Sequence, residues 1–364
     1  MLASADATND SIVTAAAQRP PPEAVKAARG VRFHGPGDVR LGDIHVPPPG
    51  AMEVRVRPVA VGICGTDAKI VEGAFEARPG VVLGHEIAGF VEALGSGVTA
   101  VREGDLVAIE PHLFCGHCRY CRRGLEHLCP EKRAFGVHLD GGMADALNVP
   151  ARLAYVVSTS IDPTIACLAE PLGCAIHGMD RLEPASGLSV LVTGAGPAGL
   201  MLTSLARLAG LTPIVVVESN EARRSAARSM GASVVIDPGA DGWQETALGL
   251  TQGNGFDFAI ESSGTPGGLA DAVAMTARGA RVLVYGVARP QDEISLRPQQ
   301  VYAKELTILG SAINPYTHAR AIELLGELRL DVLRPATYPL ESFAAAFDAQ
   351  RRRDHLKVVL TPQV

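Results

Sequence analysis

Four of the seven cysteines fall in the stretch PHLFCGHCRYCRRGLEHLC. Cys115, Cys118, Cys121 and Cys129 read C-x2-C-x2-C-x7-C, a spacing that lets one folded loop turn four thiolates inward on a tetrahedral ion about 2.3 Å from each sulfur. Four sulfurs fill that sphere, so the expected ion is a structural zinc that staples a lobe (about residues 111–130) with little core of its own. An odd cysteine total argues against a closed set of disulfides. His112, His117 and His127 lie in the same stretch. Each could ligate only by displacing a cysteine, and all three are expected at the surface.

A second constellation mixes donor types. VAVGICGTDAKI supplies Cys64, Thr66 and Asp67, and VVLGHEIAGFVEALGSGV supplies Gly84, His85 and Glu86. One thiolate, one imidazole and one carboxylate with a position left open are what a catalytic zinc needs to accept an alcohol and lower its pKa. On spacing alone, Cys64 also fits a core thiol and His85 with Glu86 a surface pair. A further carboxylate, Glu170, sits in the otherwise apolar ACLAEPLGCAIHG, where burial without a metal or cation would be costly. Cys174 shares a helix face with it, four positions on. Cys167 and Cys174 read as core thiols.

The third feature binds phosphate. In LSVLVTGAGPAGLMLTSLARLAG, residues 190–193 form a buried strand, and Gly194, Gly196 and Gly199, with Pro197 and Ala198 between them, make a G-x-G-x-x-G turn into a helix. The first glycine permits the tight turn, the second a close approach to pyrophosphate, the third close packing of helix on strand. A second apolar strand, PIVVVE, ends at Glu218, whose carboxylate can accept from the adenosine ribose hydroxyls and repel a 2′-phosphate. That favours NAD over NADP, although Arg223 and Arg224 offer guanidinium groups that could grip a 2′-phosphate.

Elements must position these groups. SVVI, FDFAIE, ARVLVYG and ELTILG follow the first two strands, separated by helix-compatible stretches, so six strands fit a doubly wound parallel sheet over residues 176–315. Residues 27–175 are rich in Val, Gly and Pro with short alternating runs such as MEVRVRPVAVG, the pattern of a mostly β domain. Residues 316–364 carry a helix signal, HARAIELLGEL, and a strand, LKVVLTP, expected to return to that first domain. The fold class is therefore α/β with an added β domain. Residues 1–26 read as a flexible tail whose removal should cost little activity, and they lack the basic start and apolar core of a secretory signal. The expected location is cytoplasmic. A net charge of -6 leaves no basic stripe for nucleic acid, and no apolar run spans a bilayer.

These motifs resemble the zinc-dependent medium-chain dehydrogenase/reductase family over about residues 27–364. C-G-T-D at Cys64, G-H-E-x2-G-x5-G-x2-V over residues 84–98, the four-cysteine lobe and G-x-G-x-x-G from Gly194 carry the resemblance in order. It implies a GroES-like catalytic domain beside a Rossmann domain, two zinc ions per chain, and a catalytic zinc at Cys64 and His85 with Glu86 and Glu170 as alternating carboxylate partners. It implies that Asp67 orients His85, and that Thr66 bonds the reacting oxygen and begins a proton relay. The A-E-P-L run is similar to polyol dehydrogenases; other alcohol dehydrogenases usually have a cysteine where Glu170 stands. The implied activity is oxidation of a secondary alcohol of a polyol, sugar alcohol or cyclitol with NAD, and an amino-alcohol dehydrogenase of the threonine 3-dehydrogenase kind shares most of the motifs. A non-catalytic, zinc-stapled dinucleotide binder is the reading from another class. Two positions depart from the pattern. Lys69 stands where many relatives have the last histidine of the relay, and either binds a hydroxyl-rich or anionic substrate or points to water, the latter expected. SAINPY replaces an Arg-Tyr pair of sorbitol-dehydrogenase-like proteins, so Ile313 and Asn314 would remove a charged polyol contact. The late strand ELTILG could pair with its twin in a homodimer or homotetramer.

Overall fold

The structure is a computed structural model that describes residues 26–362; the expected tail lies outside the described residues apart from Lys26, which opens the Lys26–Gly35 strand. Next to that strand stands the sheet that carries the chemistry. Its strands run Ala154–Val156, Leu106–Ile109, Glu86–Leu94, Glu53–Gly62, Val358–Thr361 and Ala336–Pro339, with Leu147–Pro150 also paired to Glu53–Gly62. The central strand, EVRVRPVAVG, is β-branched at every second position over its first half and buries most of its length.

Register does the positioning. Glu53–Gly62 runs antiparallel to Glu86–Leu94 with Gly62 opposite Glu86 and Val61 opposite Ile87. Cys64, just past the end of one strand, and His85, just before the start of the other, thus reach the same edge of the ladder. On its other side the central strand pairs with Val358–Thr361, Gly62 opposite Val359, which delivers Lys357 to that edge as well. Gly84 turns the chain into His85 with φ +94, and a Cβ there would stand 2.6 Å from Met143 Cγ, so only glycine is accommodated.

The second sheet has six parallel strands in the order Val234–Ile236, Ile214–Val217, Val190–Thr193, Phe256–Glu261, Thr276–Val284 and Thr307–Gly310. All six runs expected from the sequence are present, in a doubly wound order whose reversal lies beside Val190–Thr193. VLVT and IVVV are buried throughout, as strands covered by helices on both faces must be.

The Ala169–Leu182 helix lies between the two sheets. Leu172, Ala175, Ile176, Met179 and Leu182 belong to one core that takes in Ala60, Leu106 and Val359 of the first sheet, Val190 and Leu283 of the second, and Leu200 of the Pro197–Leu208 helix. A helix apolar on most sides is a buried helix. Its polar residues Glu170, Cys174 and His177 recur every three to four positions and so form one column. The Ala336–Pro339 strand and the Phe343–Arg352 helix go beyond the sequence expectation, because a four-residue strand ending in proline and an alanine-rich helix carry little periodic signal. No helix among the described residues is long and apolar enough to cross a membrane.

Candidate metal centre and dinucleotide site

Cys64, His85 and Glu86 each offer a ligand atom within 4.8 Å of the others. Asp67, fully buried on the Gly65–Val71 helix, stands behind them: its Oδ2 accepts from the Cys64 backbone N–H at 2.8 Å, and its Oδ1 lies 3.5 Å from His85 Nδ1. Burial disfavours the His85 imidazolium, but Asp67 and then Cys64 outweigh burial and hold its pKa well above the usual value. The pocket thus favours positive charge where the imidazole sits. A soft thiolate, an imidazole braced by a carboxylate, and a carboxylate ligand form a donor set that fits zinc.

Glu170 falls outside that close group but within electrostatic reach of His85 and Glu86; burial, its first cause, raises its pKa, and Glu86 adds to the rise. Cys174 is not the plain core thiol expected: it is half-buried, its Sγ lies 3.5 Å from Glu170 Oε1, and burial followed by the Glu170 charge pushes its pKa well up. Cys167 is buried, and its thiol is pushed up to about 12 by desolvation. Thr66 lies on the first turn of the helix that follows Cys64, half-buried. Lys69, expected to point to water, makes an exposed hydrogen bond instead of standing free. Its Nζ donates to the Val287 carbonyl oxygen at 2.6 Å, in the turn that follows the Thr276–Val284 strand.

The four lobe cysteines converge. Sγ–Sγ separations are 3.5 Å for Cys118–Cys121, 3.6 Å for Cys115–Cys129, and 3.9 Å for Cys115–Cys121 and Cys118–Cys129. A tetrahedron with arms of about 2.3 Å has edges of about 3.8 Å, so the cluster is shaped for one zinc. The histidine expectation needs correction. His117 is exposed, but His112 and His127 are buried, His127 because it packs on the Ala169–Leu182 helix. His127 meets His177 of that helix edge to face at 5.0 Å, and His112 Nδ1 lies 2.7 Å from Glu110 Oε1.

Glu110 is the centre of a network that no motif announced. Asn314 Nδ2 donates to its Oε2, His318 Nδ1 lies 3.6 Å from the same oxygen, and the Tyr155 ring tilts against His318 at 4.8 Å. Asn314 is thus turned into the boundary between the sheets, held by left-handed Ile313 and Tyr316 on either side, with φ of 49 and 57. A β-branched residue in that region is strained and persists only where the surroundings fix it. Burial raises the Glu110 pKa to about 7 and lowers that of His112 to about 4.

At the second sheet, Gly194 has φ +95 and Gly199 packs so closely that a Cβ would stand 2.1 Å from the Gly194 carbonyl oxygen. Gly196 caps the Pro197–Leu208 helix and faces open space, with Pro197 and Ala198 in the first turn, where backbone N–H groups can meet a pyrophosphate. Glu218 Oε2 accepts from the Ala195 N–H at 2.8 Å and Oε1 from the Asn220 N–H at 2.9 Å, so the carboxylate also braces the turn. Arg224 is engaged by Glu221 and Asp237 and by the carbonyls of Glu218 and Ser219. Arg223 remains the guanidinium nearer Glu218 in charge interaction.

Comparison with known proteins agrees with this geometry. Residues 50–159 match the alcohol dehydrogenase GroES-like domain and residues 197–327 the zinc-binding dehydrogenase domain. L-threonine 3-dehydrogenase of Pyrococcus horikoshii is 36% identical over 329 residues, 88% of this chain and 94% of that one. D-arabinitol dehydrogenase 1 of Uromyces fabae is 31% identical over 335 residues, 91% of this chain and 96% of that one. The crystal structure of a zinc-binding dehydrogenase from Sinorhizobium meliloti 1021, bound to NADP, superposes with TM-score 0.89 at 31% identity, covering 93% of this chain and 100% of that one. The chain belongs to the zinc-dependent medium-chain dehydrogenase family, whose members are NAD(P)-dependent oxidoreductases acting on small alcohols.

Proposed function

We propose that this enzyme oxidises a secondary alcohol of a polyol, sugar alcohol or cyclitol to the ketone, with NAD as hydride acceptor. The observation that carries the reading is the convergence of Cys64, His85 and Glu86 at one edge of the ladder, with Asp67 behind His85. Zinc held by Cys64, His85 and Glu86 would supply Lewis acidity that lowers the pKa of the alcohol, and a nicotinamide held at the glycine turn would supply the hydride acceptor. The chain's own residues do the rest. Asp67 orients His85, Glu86 and Glu170 serve as alternating carboxylate partners, and Thr66 hydrogen-bonds the reacting oxygen, passing its own hydroxyl proton outward to solvent as it takes that of the alcohol. Glu218 supports NAD over NADP, and of the two guanidinium groups the sequence offers to a 2′-phosphate, Arg223 and Arg224, the second is engaged.

A second reading, an amino alcohol of the threonine kind, is supported by the 36% identity to a threonine 3-dehydrogenase. Reduction of NAD and NADP by the zinc-loaded protein across polyols, cyclitols, simple alcohols and threonine separates the two. Turnover of threonine above every polyol would overturn the first reading. We further place residues 27–175 and 316–364 in one catalytic unit and 176–315 in the dinucleotide unit, a division supported by the pairing of Val358–Thr361 with Glu53–Gly62. The Thr307–Gly310 strand lies at the edge of its sheet with Ile308 exposed, a position that supports pairing with its twin in a homodimer or homotetramer, which we place in the cytoplasm.

A further inference from the structure

The polar column of the Ala169–Leu182 helix changes character along its length. Glu170, in electrostatic reach of His85 and Glu86, is followed by Cys174, whose Sγ lies 3.5 Å from Glu170 Oε1, and then by His177 and Arg181. At about 1.5 Å per residue, His177 stands roughly 10 Å further along the helix than Glu170. There His177 meets His127 edge to face at 5.0 Å, and Lys132 Nζ donates to the His127 carbonyl oxygen at 3.4 Å. Lys132 is in electrostatic reach of Cys174, and Arg181 of both imidazoles.

What this group lacks is an acid. Lys132 is half-buried, yet no carboxylate among the described residues pairs with it, and its side chain bonds only to that carbonyl. Asp180, the carboxylate in charge interaction with His177, is held by both terminal nitrogens of Arg320. His127 and His177 are each 9% exposed, and His127 Nδ1 has no hydrogen-bond partner. A half-buried ammonium and an unpartnered buried imidazole nitrogen are both relieved by an anion that accepts from them. We propose that Lys132, with His127 and His177, binds a carboxylate on the substrate at the end away from the reacting hydroxyl, so that the alcohol oxidised is a sugar acid rather than a neutral polyol. The proposal rests on the polyol-dehydrogenase reading of the metal end.

The test is calorimetric binding of five- and six-carbon aldonates, and of the alditols of the same chain length, to the protein loaded with zinc and NADH, on which no alcohol can lose a hydride. Wild type should bind an aldonate at least about tenfold tighter than its alditol, Lys132→Met should remove the difference, and Lys132→Arg should keep most of it. In turnover with NAD, Lys132→Met should raise the aldonate KM about tenfold with a smaller change in kcat. Equal affinity for the two classes in wild type, or an aldonate preference that survives Lys132→Met, overturns the proposal. Cys129 of the zinc lobe also acts on Lys132, so zinc content is measured in parallel: loss of one equivalent in Lys132→Met would make the lysine a counter-ion of the four-cysteine cluster instead. Lys132→Gln, which keeps a donor without the charge, is read in the same way if the methionine variant does not fold. Binding requires no turnover, so a protein that held aldonates through Lys132 yet oxidised no alcohol would sink the functional reading alone.

Discussion

Lys69 Nζ donates to the Val287 carbonyl oxygen at 2.6 Å, joining the helix that follows Cys64 to the turn that follows the Thr276–Val284 strand. The bond ties the catalytic edge of one sheet to the carboxyl edge of the other, which in doubly wound sheets is the ligand side. Lys69 is therefore a strut in the place where relatives carry a proton-relay histidine. A hydrogen bond of this kind contributes about 1 kcal/mol. Lys69→Met should weaken dinucleotide binding by about two- to tenfold, measured by calorimetry, with melting temperature almost unchanged. Unchanged binding together with an altered pH profile of turnover would return Lys69 to a role in proton transfer.

Glu110 makes stability depend on pH. Its pKa in the folded chain is raised to about 7, chiefly by burial, from 4.5, so the folded state binds the extra proton between those values. Stability from this group is fully present below about pH 4.5 and is lost as pH rises through about 7. His112 works in the opposite direction. Desolvation lowers its pKa to about 4 from 6.5, so stability falls as pH drops through that window. The groups that face Glu110 are His112, Asn314 and His318, with Tyr155 behind. In Glu110→Gln only the first contribution disappears. The melting temperature of the variant relative to wild type should rise with pH between about 4.5 and 7 and then level off, as followed by calorimetry. A difference independent of pH would mean that Glu110 stays ionised throughout.

The contrast between Cys115–Cys129 and the Glu110 network shows what a sequence can display. Metal and phosphate motifs are legible because a single loop supplies most of the geometry: C-x2-C-x2-C fixes three ligands, and G-x-G-x-x-G fixes a turn. The central strands Val190–Thr193 and Ile214–Val217 were legible for a similar reason, since strands buried on both faces read as unbroken apolar runs. Asn314 and Glu110 are separated by 204 positions, and Lys357 and Ile63 by 294. Such partners meet through strand register and packing between sheets, which local pattern does not encode. His112 and His127 were misplaced at the surface because the contact of one with Glu110 and of the other with His177 of the Ala169–Leu182 helix are likewise tertiary facts. Lysine before the apolar run KVVLT was a usable signal for a buried cation that was not taken up.

The lobe should behave as a staple rather than as part of the chemistry. Cys118 Sγ lies 3.5 Å from Cys121 Sγ and 3.9 Å from Cys129 Sγ, and serine would offer a harder and shorter ligand in its place. Cys118→Ser is expected to lose one equivalent of zinc by elemental analysis and to melt roughly 5–10 °C lower. Contact of His127 with His177 would pass the loosening to the helix that carries Glu170. A variant that keeps its full zinc content and melting temperature would show that the thiolates do not share an ion.

On the proposed reading, dinucleotide choice turns on Glu218. Its two oxygens brace the glycine turn through the N–H groups of Ala195 and Asn220, and the same carboxylate stands where ribose hydroxyls arrive at the end of the second strand. Removing it should therefore have two effects: a looser turn, which weakens both dinucleotides, and the loss of a negative charge that disfavours only the one with a 2′-phosphate. Glu218→Ala is expected to lower kcat/KM with NAD by at least about tenfold and with NADP by less, so that the NAD to NADP ratio falls. Adding Arg223→Ala should then reduce NADP turnover selectively, because Arg224 is already held by Glu221 and Asp237. Equal losses with the two dinucleotides in Glu218→Ala would assign Glu218 to the turn alone and leave cofactor preference to other residues.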